Sequence, residues 1–175
     1  LSFFHKGVRD DENINVYKCN KTGALVLDKI KKTNYENKGT IYWNSKNIKE
    51  ARNKTYSDDI RRYELLKNIE YKSLLDFGCG NGGLLNLLKK DKIIVGIELN
   101  NYMVNYLNNE GIKTFNNLEK IKDKFDCIML NHVLEHLYEP INILKKIKTK
   151  IHKNSILIIE IPHANDILIK EYTMT

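Results

Sequence analysis

From Ser73 onward the apolar residues fall into two alternating patterns, short continuous runs and longer stretches with helical spacing, whereas residues 1–56 show no such order. Ser73–Phe77, Ile93–Leu99, Ile112–Phe115, Phe125–Leu130 and Ile156–Ile161 are short apolar runs bounded by polar turns, the pattern of strands buried on both faces of a parallel sheet. Between them, Leu84–Lys90 carries Leu84, Leu85, Leu87 and Leu88 inward. The stretch after Asn100 or Asn101 carries Met103, Val104 and Leu107 and stops at Gly111. A further helix starts at Pro140, with Ile141, Leu144, Ile147 and Ile151 as its predicted stripe. Ahead of the first strand, Ser57 and Asp58 are placed to cap a helix whose apolar positions are Ile60, Tyr63, Leu66 and Ile69. Strand and helix alternate through short connections, which predicts an α/β domain with a mostly parallel sheet and right-handed crossovers.

The first 56 residues are polar and rich in lysine and asparagine, with scattered aromatics at Phe3, Phe4, Tyr17, Tyr35, Tyr42 and Trp43. Val16–Leu27 alternates around Lys21-Thr22-Gly23 and predicts a small hairpin; Tyr42-Trp43 is expected to pack this arm onto a core, with a lid over a substrate pocket as the other reading. The expected organisation is an N-terminal arm over 1–56 and one domain over 57–175.

Composition narrows the partners. The net charge of +7 comes chiefly from lysines spread over every helix-like segment, with Arg9, Arg52, Arg61 and Arg62 the arginines, and no arginine-rich or aromatic-interleaved patch accompanies it. That pattern is a solvated face, and it argues against nucleic acid as partner. No apolar run reaches membrane-spanning length and no charged-then-apolar leader precedes the domain, so a cytoplasmic protein is expected. Cys19, Cys79 and Cys127 are an odd, widely spaced set that suits reduced thiols and neither a disulfide framework nor a metal site. The oligomeric state stays open.

The candidate chemistry centres on Ser73–Gly83, SLLDFGCGNGG. Glycine-rich turns between strand and helix permit positive φ and close approach of a ligand, and N–H groups at a helix start favour an anionic group. Gly78, Gly80 and Gly83 satisfy the dinucleotide spacing G-x-G-x-x-G, and Glu98 lies about twenty residues on, where a ribose-binding acid belongs. A nicotinamide-dependent oxidoreductase therefore fits the spacing. Gly78–Gly82, Glu98, Asn116-Asn117 and Asn131 all fall at predicted carboxyl ends of strands, where open α/β sheets bind ligands.

Asp76 inside the strand and the run Asp76-Phe77-Gly78-Cys79-Gly80-Asn81-Gly82 resemble motif I of the class I S-adenosylmethionine (SAM) dependent methyltransferases. A second stretch, Lys124–Leu137 (KFDCIMLNHVLEHL), is similar to the FD…VLEH pattern of the ubiquinone-pathway and sugar-modifying members, and the resemblance runs from about Ser57 to His163. It implies a Rossmann-like class I fold, SAM as cofactor, and methyl transfer to a small-molecule or glycan-precursor acceptor. A non-catalytic SAM-binding scaffold is the other reading it leaves open.

By this resemblance Gly78, Cys79, Gly80 and Asn81, with Asp76 before them, would border the methionine part of SAM, its carboxylate held by backbone N–H groups. Glu98, with Leu99 beside it, would accept from the ribose hydroxyls; Asn117 and Leu118 would border the adenine; Asn131 would wall the methionine end. Two departures from the pattern are visible. The C-x-x-C-G element of sugar-modifying members is reduced to Cys19-Asn20-Lys21-Thr22-Gly23, and only His163–Thr175 follow the fifth strand, too few for the family's further helix and antiparallel hairpin, so that a partial chain is expected. Methyl transfer from a sulfonium asks the protein for alignment and, for a hydroxyl or carbon acid, for a base. His136 is the candidate base, with His132 on the same face if that segment is helical.

Overall fold

The computed structural model describes residues 1–8, 11–29, 45–90 and 92–163. Tyr35, Tyr42 and Trp43, and the stretch where a C-terminal hairpin would follow, lie outside them. The chain divides into two compact units, Leu1–Thr33 with Pro162–Thr175, and Asn34–Ile161.

The first unit holds an antiparallel sheet of β1 (Ser2–Val8), β2 (Asp11–Lys18) and β3 (Leu25–Leu27) in that order. The predicted hairpin is present: Val16 pairs with Leu27 and Lys18 with Leu25, and the turn closes through Gly23 N–H to Cys19 O at 2.8 Å with Gly23 at φ +75°. β1 escapes the periodicity because its register with β2 shifts twice, between Phe3 and His5 and again between Lys6 and Val8, which destroys a clean alternation.

The second unit opens with α1 (Ser45–Lys67) and then alternates β4 (Ser73–Phe77), α2 (Gly83–Leu88), β5 (Ile93–Ile97), α3 (Asn101–Asn109), β6 (Thr114–Phe115), β7 (Phe125–Asn131), α4 (Pro140–Lys148) and β8 (Ile151–Glu160). All five strands are parallel, in the order β6-β5-β4-β7-β8. The chain runs outward from β4 to β6 and then returns to the other side of β4, so the strand order reverses beside β4. This is the expected Rossmann-like α/β fold. Alternate residues of each strand feed separate cores. Leu74 and Ile94 join Ile48, Leu66, Leu85 and Leu107 on one face, while Leu75 and Val95 join Leu118, Ile128 and Ile147 on the other.

Two helix readings need correction. Ser57 and Asp58 do not start a helix; they are exposed within α1, which begins at Ser45. The stretch 48–56 buries Ile48 and otherwise makes polar contacts, so its helical spacing carries no apolar signal. In α4, Ile147 is buried but Ile141 is well exposed, and Ile151 opens β8 instead of continuing the stripe. Ile143 takes the inward role, packed against the second core.

The candidate cofactor site

The turn after β4 is held by the next strand. Gly78 and Cys79 donate their N–H groups to Ile97 O at 2.8 and 2.9 Å, so the glycine segment bends across the carboxyl end of β5. Cys79 lies over Gly96, where an added Cβ would come within 2.6 Å of its sulfur; this crossing explains a glycine in the middle of β5. Burial pushes the Cys79 thiol well up, so it packs as an apolar group.

Gly80 carries the open position. It sits at φ +53° with nothing within 4 Å of where a Cβ would be, while Gly82, at φ +67°, is closed in by Leu107 at 2.5 Å. The Gly80 N–H donates to Glu98 Oε2 at 3.0 Å, and Glu98 Oε1 accepts from Asn100 N–H at 3.0 Å. The carboxylate thus spans from the turn to the N-cap of α3, with a half-exposed Leu99 beside it.

The turn's donors are not spare. Gly82 N–H bonds Cys79 O at 2.9 Å and Gly83 N–H bonds Asn81 Oδ1 at 2.8 Å, so Gly78, Cys79, Gly80, Gly82 and Gly83 all donate inside the protein. The reading of free N–H groups at the helix start holds for none of these five. α2 is also a short helix, Gly83–Leu88, with Gly82 as its N-cap and no side-chain cap there.

Behind the turn Asp76 is fully enclosed, its carboxyl pushed up to about 7 by burial. Asn131, at the end of β7, donates Nδ2 to Asp76 Oδ1 at 3.4 Å, and its own Oδ1 is buried without a partner. Two buried oxygen acceptors therefore stand at the end of the central strands. On the far side of the site, Asn117 is exposed and caps a short 3-10 turn (Leu118–Lys120) through Oδ1 to Glu119 N–H at 2.9 Å. The Leu118 side chain is in the core, so only its backbone can border a nucleotide.

The segment Asn131–Glu139 holds a 3-10 turn, Leu134–His136, and His132 stands outside it with φ +52°. The two histidines therefore do not share one helical face. They approach one carboxylate instead: His132 Nδ1 lies 3.3 Å and His136 Nε2 3.9 Å from Glu135 Oε1. His132 Nε2 lies 3.0 Å from Glu160 Oε1, at the end of β8. Glu160 also accepts from Arg62 Nη2 at 2.9 Å and Arg61 Nη2 at 2.7 Å; the Arg62 bond chiefly holds its carboxyl down at about 2. Sequence patterns gave no sign of Glu160, Arg61 and Arg62, because 98 residues separate Arg62 from its partner.

Among the described residues no group of His, Cys, Asp and Glu is arranged to hold a metal ion, and no helix is long and apolar enough to cross a membrane.

An open parallel sheet with a glycine turn and an acid at adjoining strand ends defines the class of α/β proteins that take a nucleotide-bearing ligand there. Within that class, a family model described as a methyltransferase domain matches residues 48–174, and the chain belongs to that family. Among solved structures, a SAM-dependent methyltransferase from Archaeoglobus fulgidus superposes with a TM-score of 0.54 at 24% identity, covering 71% of this chain and 58% of its own. The plantazolicin methyltransferase BamL, in complex with a triazolic desmethylPZN analog and SAH, gives 0.51 at 19% identity, covering 70% and 54%. The plantazolicin methyltransferase BpumL, with a monoazolic desmethylPZN analog and SAH, gives 0.50 at 18% identity, covering 69% and 54%. These likenesses show the fold, and the chain spans little more than half the length of each. A search of the curated proteins finds no match.

Proposed function

We propose that this chain is the cofactor-binding part of a SAM-dependent methyltransferase acting on a small-molecule or glycan-precursor acceptor. The observation that carries the reading is the meeting of Gly80 and Glu98: an open, positive-φ glycine bonded at 3.0 Å to a strand-end carboxylate, in a chain of the methyltransferase-domain family. The residues fit the cofactor. Glu98, whose two oxygens accept from the Gly80 and Asn100 N–H groups, would accept the paired ribose hydroxyls on its remaining lone pairs. The buried acceptors Asp76 and Asn131 suit the ammonium of the amino-acid end, and the space above Gly80 admits the ligand that a side chain there would exclude. Bound SAM would supply an already activated methyl group. This chain's residues then orient it and shield it from water, and His136 takes the acceptor's proton. The acceptor class rests on the likeness of KFDCIMLNHVLEHL to ubiquinone-pathway and sugar-modifying methyltransferases.

Isothermal calorimetry of the 175-residue chain with S-adenosylhomocysteine and, separately, NADH tests the cofactor. Binding of S-adenosylhomocysteine with no heat from NADH is the expected result. Tight NADH binding alone would convert the site to that of an oxidoreductase.

A further inference from the structure

The apex of the glycine turn is clamped from a helix that the motif does not include. Asn81 stands between Gly80 and Gly82, both in left-handed backbone, so its peptide groups have no helix or strand to pair with. Its buried side chain is committed: Oδ1 accepts from Gly83 N–H, and Nδ2 donates to Thr55 Oγ1 at 3.2 Å. Its carbonyl accepts from Arg52 Nε at 2.9 Å. Arg52 and Thr55 are three residues apart on α1 and so share one face, which brings both to the same apex.

The other end of the Arg52 guanidinium is anchored too. Nη2 donates to Glu110 Oε2 at 2.7 Å, Tyr106 OH donates to Glu110 Oε1 at 2.6 Å, and the guanidinium lies 5.6 Å from the Tyr106 ring centroid. Tyr106 and Glu110 are one turn apart at the end of α3, where Glu110 is the C-cap. A planar guanidinium donates in fixed, divergent directions, which a lysine's single point charge does not do. One side chain therefore ties the apex carbonyl to a carboxylate on α3 while its stem stays on α1. The Arg52 side chain is 18% exposed and that of Glu110 29%, so the pair is more sheltered than the surface ion pairs whose worth is small.

We infer that Arg52 is a positioning residue: through the Asn81 carbonyl it fixes the apex of the glycine turn and thereby keeps open the space above Gly80, along which the amino-acid end of the ligand would lie. Its bearing on ligand rests on the SAM reading of the turn; the clamp itself does not. By the same logic Glu110 and Tyr106 act on the site only through Arg52.

Amide hydrogen exchange by mass spectrometry on the full chain tests the clamp without any ligand. In Arg52→Gln the peptide over Gly78–Gly83 is expected to exchange about tenfold faster or more, with the amides of β7 unchanged, because a local opening becomes cheaper while global stability is kept. Ligand titration adds a readout that general destabilisation would not give. S-adenosylhomocysteine is expected to bind about tenfold more weakly to Arg52→Gln, whereas 5′-methylthioadenosine, which lacks the amino-acid end, stays within about twofold. Glu110→Gln, which keeps the volume but weakens the far anchor, is expected to shift both readouts the same way and serves if Arg52→Gln does not fold. Unchanged exchange in the turn, or exchange accelerated equally in β7, overturns the clamp. Equal weakening of both ligands overturns its selective action on the amino-acid end. If the wild-type chain binds neither ligand, the SAM reading fails, and the exchange data still decide the clamp.

Discussion

Four glycines crowd into six residues of the turn, yet they are not equivalent, and the difference is physical. Gly82 combines φ +67° with Leu107 at 2.5 Å from a virtual Cβ, so alanine there meets both backbone strain and a fixed core side chain. Gly80 has only the strain, since nothing stands within 4 Å. Gly80→Ala is therefore expected to cost about 1 kcal/mol of stability and Gly82→Ala about 2–4 kcal/mol, read from urea unfolding midpoints. Ligand affinity should rank the other way relative to stability. The methyl of Gly80→Ala projects into the space assigned to the cofactor, so the folded variant should lose about tenfold or more in S-adenosylhomocysteine affinity. A Gly80→Ala protein that binds as well as wild type would remove the cofactor from that space.

At the scale of elements, the parallel strands were legible because continuous apolar runs between turn residues have few other interpretations, and β4 keeps its predicted bounds, Ser73–Phe77. The start of α1 is not legible, because its first half makes polar contacts through Arg52 and Thr55 and buries Ile48 without forming an apolar stripe. The acid of the FD motif also has a use that spacing did not suggest. Asp126 Oδ2 accepts from Lys72 N–H, Ser73 N–H and Ser73 Oγ, each at 3.0 Å, and so pins the entrance of β7 to that of β4; these bonds hold its carboxyl below the usual range. In the site, the glycine turn and Glu98 were readable from local spacing, whereas the Glu160 cluster and the Arg52 clamp depend on contacts distant in sequence. The loop after β7 shows the same limit. Helical spacing would put its histidines on one face, but the backbone turns at His132 and tightens to a 3-10 turn. His132 is bridged between Glu135 and Glu160, and His136, about half exposed and beside Glu135, is the proposed base. His136→Ala is expected to lower turnover about a hundredfold to ten-thousandfold on a hydroxyl or carbon-acid acceptor, with SAM affinity changed by less than about twofold. Separate measurement of turnover and affinity, with the acceptor in hand, decides it; turnover preserved within a few-fold assigns His136 to structure and leaves catalysis to alignment.

For the molecule as a whole, two carboxyls at the site end of the sheet set opposing limits on stability. Glu160 titrates near 2 in the folded chain against an ordinary value of 4.5, because Arg62 and Arg61 hydrogen-bond its ionised form. Its contribution is present above pH 4.5 and is lost as pH falls toward 2. Asp76 runs the other way. Burial raises it from 3.8 to about 7, so between those values the folded chain holds a proton that the unfolded chain has released, and stability falls as pH rises. Across that window the loss is at most ~4 kcal/mol, a large share of the margin of a domain this size. The wild-type chain should therefore be most stable near pH 4 to 5 and weaken toward neutrality. Asp76→Asn keeps the shape of the side chain and removes this titration, so its stability should fall less steeply from about pH 5 to 8, with Asp59, also raised by burial, still contributing, while the acid limb to which Glu160 contributes persists. Urea unfolding of both proteins at intervals over that range measures the difference directly. Parallel profiles for the two proteins would mean that Asp76 is ionised in the fold, and a cationic end of the ligand would then meet a carboxylate already charged before it arrives.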